Sequence, residues 1–258
     1  MTNFCGAAKQ LVCLPRSPIK AMRTNRFFPG PLYAAVLIGG KSSRMGQPKH
    51  LLSEAGSSWL ERIVAVASPF VDAVVLAGNG EVPAGLSHLT RVADAGDVGG
   101  PLAGILAALR SQPQASWLIL ACDLPAVHAE AIGWLLAEVR QGDVAVLPSL
   151  DSRDHGPNGS RDGQRIEPLL AWYNATSLPY LEEIAASGNW RINQLRHVEG
   201  VRSPQVPLHL QAAWNNINTP EQLQRYQNRP AADASEHHRA RAEDTCSQLR
   251  PCPEPGKV

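Results

Sequence analysis

A glycine-rich loop with two cations lies in the segment of residues 33–49, YAAVLIGGKSSRMGQPK. The adjacent residues Gly39 and Gly40 follow a short apolar run and precede the cations Arg44 and Lys49. Successive backbone N–H groups in such a turn form a concave anion site, and glycine lets the main chain approach the anion closely. Because this is more positive charge than one carboxylate needs, the loop predicts a site for a nucleotide with several phosphates.

Two well-known phosphate-binding motifs do not match this loop. The P-loop requires a glycine at the position of Ala35, ahead of Gly40. The dinucleotide fingerprint G-x-G-x-x-G requires a residue between its first two glycines, but Gly39 and Gly40 are adjacent. The alternative that stays open is a plain glycine-rich turn before a helix.

A carboxylate, Asp123, directly follows the apolar run of residues 117–121 and belongs to the turn Cys-Asp-Leu-Pro. Burying a carboxylate alone is costly, so this group must be paired or must reach a ligand. Mg²⁺ is usually held by one or two carboxylates together with substrate phosphates. Asp123 is therefore a candidate ligand of Mg²⁺, and the alternative is that it only caps the next helix.

Two further polar residues, Asn79 and Asp94, each come within two residues of the end of a predicted strand. Asparagine is a common turn residue and aspartate can cap a turn, so both have a structural alternative. Asp97 lies in the same loop as Asp94 and is a rival for any binding role.

Apolar runs alternate with amphipathic segments along the chain. Strands are predicted at residues 34–38, 72–77, 89–93, 117–121, 144–147, 167–173 and 206–210. Helices are predicted from the capping box at Ser58, from Pro101, over residues 129–140 and 176–186, and from Pro220 after its cap Thr219. The polar stretch 151–165 predicts a flap or an insertion. This alternation predicts an α/β fold with a mostly parallel sheet.

The polar candidates share one position in that predicted fold. In open α/β sheets, ligands bind outside the carboxyl ends of the strands. The glycine loop, Asn79, Asp94 and Asp123 each follow a predicted strand. We therefore expect all of them to lie along one edge of the sheet.

The composition excludes several classes of protein. The chain has 258 residues, of which 44% are hydrophobic and 18% charged, as is typical of globular proteins. A net charge of +1 argues against a nucleic-acid partner, and no apolar run approaches the length of a membrane span. The 5 cysteines form no C-x-x-C pair, which favours a reducing cytosol and predicts a cytoplasmic protein.

The ends of the chain differ in composition from its centre. Residues 1–32 are basic, contain no acidic residue and lack the apolar core of a secretory signal, so we expect a disordered leader, with a transit peptide as the alternative. Residues 33–228 are predicted to be the folded domain. Residues 229–258 lack apolar periodicity and are predicted to be a disordered tail, whose His and Cys residues match no zinc spacing.

The motif L-x-G-G-x-S-x-R-M-G-x-x-K, at residues 37–49, resembles the signature loop of nucleotidyltransferases. It is most similar to that of the molybdenum cofactor guanylyltransferases. The resemblance covers residues 34–226 and includes C-D-L-P at 122–125, G-P-L-x-G at 100–104 and N-x-N-T-P at 216–220. It implies a Rossmann-like three-layer sandwich, and an enzyme that transfers GMP from GTP to Mo-molybdopterin and releases pyrophosphate.

The resemblance also implies roles for individual residues. The implied nucleotide-binding residues are Leu37, Ile38, Gly39, Gly40, Lys49, Asn79, Asp94 and Asp123. The implied catalytic residues are Arg44, Lys49 and Asp123, with Asp123 as the ligand of Mg²⁺. Ile38 stands where alanine is commoner in the family, and residues 161–167 match the region expected to contact the pterin only loosely.

Three alternatives to this function stay open at the level of sequence. A related enzyme would use CTP, or would transfer to a sugar phosphate. A protein of another class would bind nucleotide without catalysis and deliver the cofactor to a molybdoenzyme or another delivery partner. Such a chaperone would tolerate the loss of Lys49 or Asp123, and the presence of both favours the enzyme.

Overall fold

The computed structural model describes residues 30–39, 49–54, 56–151 and 164–228. The chain divides into two compact units, one up to Ile217 and one from Asn218 onward. In the described part, no helix has the length and apolar character needed to cross a bilayer. The predicted disordered leader and tail lie outside the described residues, except that the first strand already begins at Leu32.

A seven-stranded sheet forms the centre of the first unit. In spatial order its strands are β11 (Val201–Arg202), β7 (Ala145–Val146), β10 (Leu170–Tyr173), β6 (Ser116–Ala121), β1 (Leu32–Leu37), β4 (Ala73–Ala77) and β5 (Thr90–Val92). β10 runs antiparallel to both of its neighbours, and every other pair in this sheet is parallel. The prediction of a mostly parallel sheet is confirmed.

Helices cover both faces of this sheet. One face packs against α1 (Trp59–Ala67) and α3 (Ala129–Ala137), and the other against α2 (Pro101–Ser111) and α4 (Leu178–Ala186). Alternate residues of β6 separate the two cores, because Leu118 and Leu120 lie in the first and Trp117 and Ile119 in the second. A strand buried on both faces has a continuous apolar sequence, which explains the unbroken apolar run at residues 117–121 of β6. The three-layer sandwich is confirmed.

The helix starts follow their predicted capping signals. Before α1, the Ser58 backbone N–H donates to the Glu61 carboxylate at 2.8 Å, and the Glu61 N–H donates to the Ser58 hydroxyl at 3.2 Å. In the second unit, α5 (Pro220–Gln227) begins with a capping box between Thr219 and Gln222. Both arrangements satisfy N–H groups that a helix start otherwise leaves without partners.

The order of the strands reverses beside β1. The chain leaves β1 for β4 and β5 on one side, and α2 then returns it to β6 on the other side. Ligands of open α/β sheets bind where the strand order reverses in this way, outside the carboxyl ends. The glycine loop leaves β1 at this point.

Two short antiparallel ladders lie outside the main sheet. One pairs β2 (Ser53–Glu54) with β3 (Ser57–Ser58), and the other pairs β8 (Ser149–Asp151) with β9 (Gln164–Ile166). The second ladder pairs both ends of the stretch 151–165, which the sequence predicted to be a flap or an insertion. Residues 152–163 between them lie outside the described residues.

Two predicted elements are shorter than expected. α3 ends at Ala137 instead of residue 140, and the Arg140 N–H donates to the Asp143 carboxylate at 2.8 Å instead of continuing the helix. The predicted strand 167–173 begins only at Leu170. Pro168, which lies between β9 and β10 along the chain, has no N–H to donate to a ladder, so the pairing of β10 with β6 begins only after it.

The predicted edge strand at 206–210 is wrong. Gln205 makes a single bridge to Ser149, and residues Leu208–Trp214 form a 3₁₀ helix. Pro204 and Pro207 flank this stretch and cannot donate to a ladder, which limits pairing to that one bridge. The edge strands of the main sheet are β11 and β5 instead.

Candidate active site

The carboxyl ends of the three central strands are tied together by their backbones. The Ile38 N–H donates to the Ala77 carbonyl at 2.8 Å, which joins the ends of β1 and β4. The Cys122 N–H donates to the Leu37 carbonyl at 3.3 Å, which joins the ends of β1 and β6. The loops that follow these strands therefore start side by side, as the sequence predicted.

Glycines allow the turn after β4 to approach the start of the glycine loop. A Cβ atom on Gly78 would lie 2.8 Å from the Gly39 nitrogen, and the φ of Gly78 is +118°, a region that L side chains rarely adopt. A Cβ atom on Gly80 would lie 2.2 Å from the Ile38 carbonyl oxygen. Asn79, exposed between these two glycines, is thereby held beside Gly39.

Asp94 lies against the same glycine loop. A Cβ atom on Gly39 would be 3.1 Å from one Asp94 carboxylate oxygen, and one on Gly104 would be 3.3 Å from the other. Burial raises the pKa of the Asp94 carboxyl above its usual value. Its rival Asp97 has a side chain that is 65% exposed, with a carboxylate 3.6 Å from Arg110. The structure therefore brings Asp94, and not Asp97, to the predicted phosphate loop.

A buried histidine anchors the backbone on the far side of this loop. Lys49 begins the 3₁₀ helix Lys49–Leu51, and the buried His50 side chain in this helix places its Nε2 2.8 Å from the Glu81 carbonyl oxygen. Burial is the main cause that lowers the pKa of His50. The Lys49 backbone is thus fixed beside the Gly80 turn, whereas its side chain, Gly40 and Arg44 lie outside the described part of the chain.

Asp123 lies directly beyond β6, where the sequence predicted it. Its carbonyl oxygen accepts a hydrogen bond from the Ile217 N–H at 3.0 Å, and its side chain is partly buried. This bond brings Asn216, a residue of the N-x-N-T-P turn, close to Asp123 in the chain's fold.

A second carboxylate, Glu167, lies opposite Asp123. The antiparallel register of β6 and β10 pairs Leu120 with Leu170, and the Ala121 N–H donates to the Leu169 carbonyl at 2.8 Å. Continuing that register brings Glu167 opposite Asp123. Sequence reasoning missed this partnership, because it depends on which strand of the mostly parallel sheet runs antiparallel.

The environment of Glu167 changes its protonation. Its side chain is 13% exposed and forms an ion pair with Arg165. Burial raises the pKa of Glu167 to about 7, with the negative charge of Asp123 adding to the rise and Arg165 opposing it. A carboxyl group that takes up protons near neutral pH thus lies at the edge of the candidate site.

The raised pKa of Glu167 predicts a pH dependence of stability. Folded Glu167 binds its proton more tightly than the unfolded chain does, so stability falls as pH rises from 4.5 toward about 7. Since one pKa unit is worth about 1.4 kcal/mol, the free energy of unfolding should fall by up to ~3 kcal/mol across this window. Urea denaturation in EDTA should show this slope in the wild type and a flatter one in Glu167→Gln. An equally steep slope in Glu167→Gln, and a flattened one in the exposed control Glu130→Gln, would contradict the assignment.

Together, these residues form a site with distinct polar parts at one edge of the sheet. Gly39 contributes backbone, Asp94 a partly buried carboxyl, and Asp123 with Glu167 an acidic pair.

The family of the MobA-like NTP transferase domain matches residues 34–201 of the chain. The chain belongs to this family. It is a nucleotidyltransferase.

Relatives over most of the chain carry consistent names. The molybdenum cofactor guanylyltransferase of Pseudomonas putida is 30% identical over 200 residues, which are 75% of this nucleotidyltransferase and 96% of the relative. A probable molybdenum cofactor guanylyltransferase of Carboxydothermus hydrogenoformans is 32% identical over 73% of this chain and 91% of its own. A molybdenum cofactor biosynthesis bifunctional protein of Synechocystis is 38% identical, but the match spans only 45% of this chain and 34% of that protein.

Solved structures share the architecture of this nucleotidyltransferase. A molybdopterin-guanine dinucleotide biosynthesis protein A from Archaeoglobus fulgidus has a TM-score of 0.60 and 28% identity, and covers 75% of this chain and 95% of its own. A 4-diphosphocytidyl-2C-methyl-D-erythritol synthase from Anaerococcus prevotii has a TM-score of 0.55 at 15% identity, over 77% of this chain and 98% of its own. The second likeness concerns the fold alone.

Proposed function

We propose that this nucleotidyltransferase is a molybdenum cofactor guanylyltransferase, which transfers GMP from GTP to Mo-molybdopterin. The observation that carries the proposal is that Asp94 lies against Gly39 and that Asp123 follows the neighbouring strand β6 at the same carboxyl edge of the sheet. The names of relatives that cover most of the chain support the choice of GTP and a molybdopterin acceptor. We further propose that the reaction occurs in the cytoplasm and that the product passes to a molybdoenzyme or a delivery partner.

The proposed reaction is one displacement at phosphorus. A terminal phosphate oxygen of the acceptor attacks the α-phosphorus of GTP and forms a new P–O bond. The bond between the α-phosphorus and the oxygen bridging to the β-phosphate breaks, and pyrophosphate leaves with that electron pair. A phosphate nucleophile is already ionised near neutral pH, so positioning and charge stabilisation suffice without a general base.

The nucleotide would be held by backbone and side chains from several strand ends. The N–H groups of Gly39 and Gly40 would bind phosphate oxygens, and Arg44 with Lys49 would offset the charge that builds on pyrophosphate. Backbone groups of Leu37 and Ile38, together with Asn79, would select the base. Asp94, which lies against Gly39, would complete the nucleotide site from the opposite side.

The donor set at the end of β6 fits a divalent cation. Asp123 offers a partly buried carboxylate and Glu167 lies across from it, which matches the one or two carboxylates that hold Mg²⁺ with substrate phosphates. We propose Asp123 as the protein ligand of Mg²⁺. When bound, Mg²⁺ would supply positive charge that neutralises the negative charge developing on the phosphates.

The test of this function is product formation with labelled nucleotides. The purified protein is incubated with Mg²⁺, molybdopterin and GTP or CTP labelled at the α-phosphate, and label in the dinucleotide cofactor is measured. Transfer from GTP in preference to CTP is expected. Transfer from CTP would change the product, and binding of GTP with no transfer at all would favour the non-catalytic chaperone.

A further inference from the structure

The indole of Trp190 is exposed, unlike most tryptophans of this protein. Trp190 has 45% of its surface exposed, whereas four others are at most 2% exposed, namely Trp59, Trp117, Trp172 and Trp214. Leaving a large aromatic side chain in water forgoes the favourable free energy of its burial. An exposed indole that is also held in place therefore indicates a binding surface.

Gly99 holds the Trp190 ring against the backbone. A Cβ atom on Gly99 would lie 2.5 Å from Cζ3 of Trp190, 3.0 Å from Cε3 and 3.4 Å from Cη2. These are three atoms of the six-membered ring, so that ring occupies the space where any other residue at position 99 would place its side chain. Trp190 thus packs on main chain while a large part of its surface stays open.

Hydrogen bonds fix the turn that carries Trp190. The Asn189 carbonyl accepts from the Arg191 N–H at 2.8 Å and from the Gln194 side-chain amide at 2.8 Å. Gly188, with φ of +72°, ends α4 ahead of this turn. The ring is therefore presented by a braced segment, which lowers the entropy lost when a ligand stacks on it.

Topology places Trp190 at the edge of the sheet that carries the candidate active site. β10 runs antiparallel to β6, so α4, which follows β10, returns the chain to the carboxyl ends of the parallel strands. Gly99 lies at this same edge, because it precedes α2 in the loop that contains Asp94. The exposed indole and the proposed nucleotide residues therefore lie at the same edge of the sheet.

We propose that Trp190 is a stacking surface for the planar heterocycle of the acceptor. This inference rests on the proposed function, which supplies a fused-ring pterin as the second substrate. The proposed nucleotide residues come from the ends of β1, β4, β5 and β6, whereas Trp190 comes from the part of the chain after β10, which supplies none of them. Stacking on an aromatic side chain tolerates any flat ring and is worth about a tenfold change in affinity.

The inference is tested by steady-state kinetics with molybdopterin and GTP varied separately. Trp190→Ala should raise the KM for molybdopterin about tenfold and leave the KM for GTP within about twofold, while Trp190→Phe should retain most of the affinity. Gly99→Ala should have the same selective effect, because the added methyl displaces the ring while Trp190 is kept. Tyr180→Ala is the matched control, since it removes another exposed aromatic residue from the opposite end of α4.

Each outcome of this experiment decides the inference. A KM for GTP that rises while that for molybdopterin does not would assign the ring to guanine and overturn the proposal. Unchanged KM values for both substrates in Trp190→Ala would also overturn it, with the guanylyltransferase function intact. If the wild type forms no product from molybdopterin and GTP, the proposed function fails first and the stacking proposal fails with it.

Discussion

Replacing Lys49 with alanine is expected to lower kcat for nucleotidyl transfer by about a hundredfold to a thousandfold. Removing a fixed positive charge leaves the charge that builds on the departing pyrophosphate less well stabilised. The backbone of Lys49 lies in the short 3₁₀ helix anchored by the buried His50, and the substitution leaves that anchor in place. Single-turnover kinetics at saturating GTP would measure the loss, and an unchanged thermal unfolding midpoint would show that the fold is retained.

Two further variants make the Lys49 experiment specific. Lys49→Arg keeps the charge but changes its geometry, so it should recover part of the lost rate. Arg140→Ala removes an exposed cation that follows α3, at the opposite edge of the sheet, and should leave the rate unchanged. If Lys49→Ala transfers GMP as fast as the wild type does, Lys49 has no part in the mechanism.

Local signals were enough to predict the strands that carry the candidate site. β1, β4 and β6 are apolar because helices cover both faces of the sheet, and each is followed within two residues by glycine or aspartate. In parallel sheets such residues meet at one edge whatever the strand order is. For this reason the sequence alone predicts that Gly39, Asp94 and Asp123 lie at one edge of the sheet.

Other parts of the site depend on pairings between distant segments. Glu167 lies opposite Asp123 only because β10 enters the sheet antiparallel to β6, and no local pattern reports strand direction. His50 accounts for the position of the Lys49 backbone only through the Glu81 carbonyl, which belongs to a turn 31 residues away. The sequence showed both residues but not their partners.

Close contacts of individual residues with distant backbone could not be predicted from the sequence either. The sequence placed Asn79 between two glycines, which is a local signal for a turn. It did not show that Gly80 would pass so close to the Ile38 carbonyl that a methyl group could not fit. Likewise, no local pattern in the sequence pointed to Trp190, and its contact with Gly99 needs the packing of α4 against α2.

Replacing Asp123 with asparagine is expected to raise the Mg²⁺ concentration for half-maximal GTP binding at least about tenfold, because the neutral amide replaces a charged ligand. The main-chain bond from the Ile217 N–H to the Asp123 carbonyl is untouched, so the fold should be retained. Titration of GTP binding with Mg²⁺ would measure the shift separately from turnover, which should fall as well. Glu130→Gln, an exposed carboxylate in the first turn of α3, is the matched control and should titrate like the wild type.

The Mg²⁺ requirement of the Asp123→Asn and Glu167→Gln variants shows whether Asp123 or another group holds the cation. If Asp123 holds the cation, Glu167→Gln should have a smaller effect than Asp123→Asn, because Glu167 is already paired with Arg165 and is largely protonated below its pKa of about 7. If instead Asp123→Asn binds GTP with an unchanged requirement for Mg²⁺, the cation is held elsewhere. Asp123 would then act only through its backbone, as a turn residue that joins the end of β6 to the segment around Ile217.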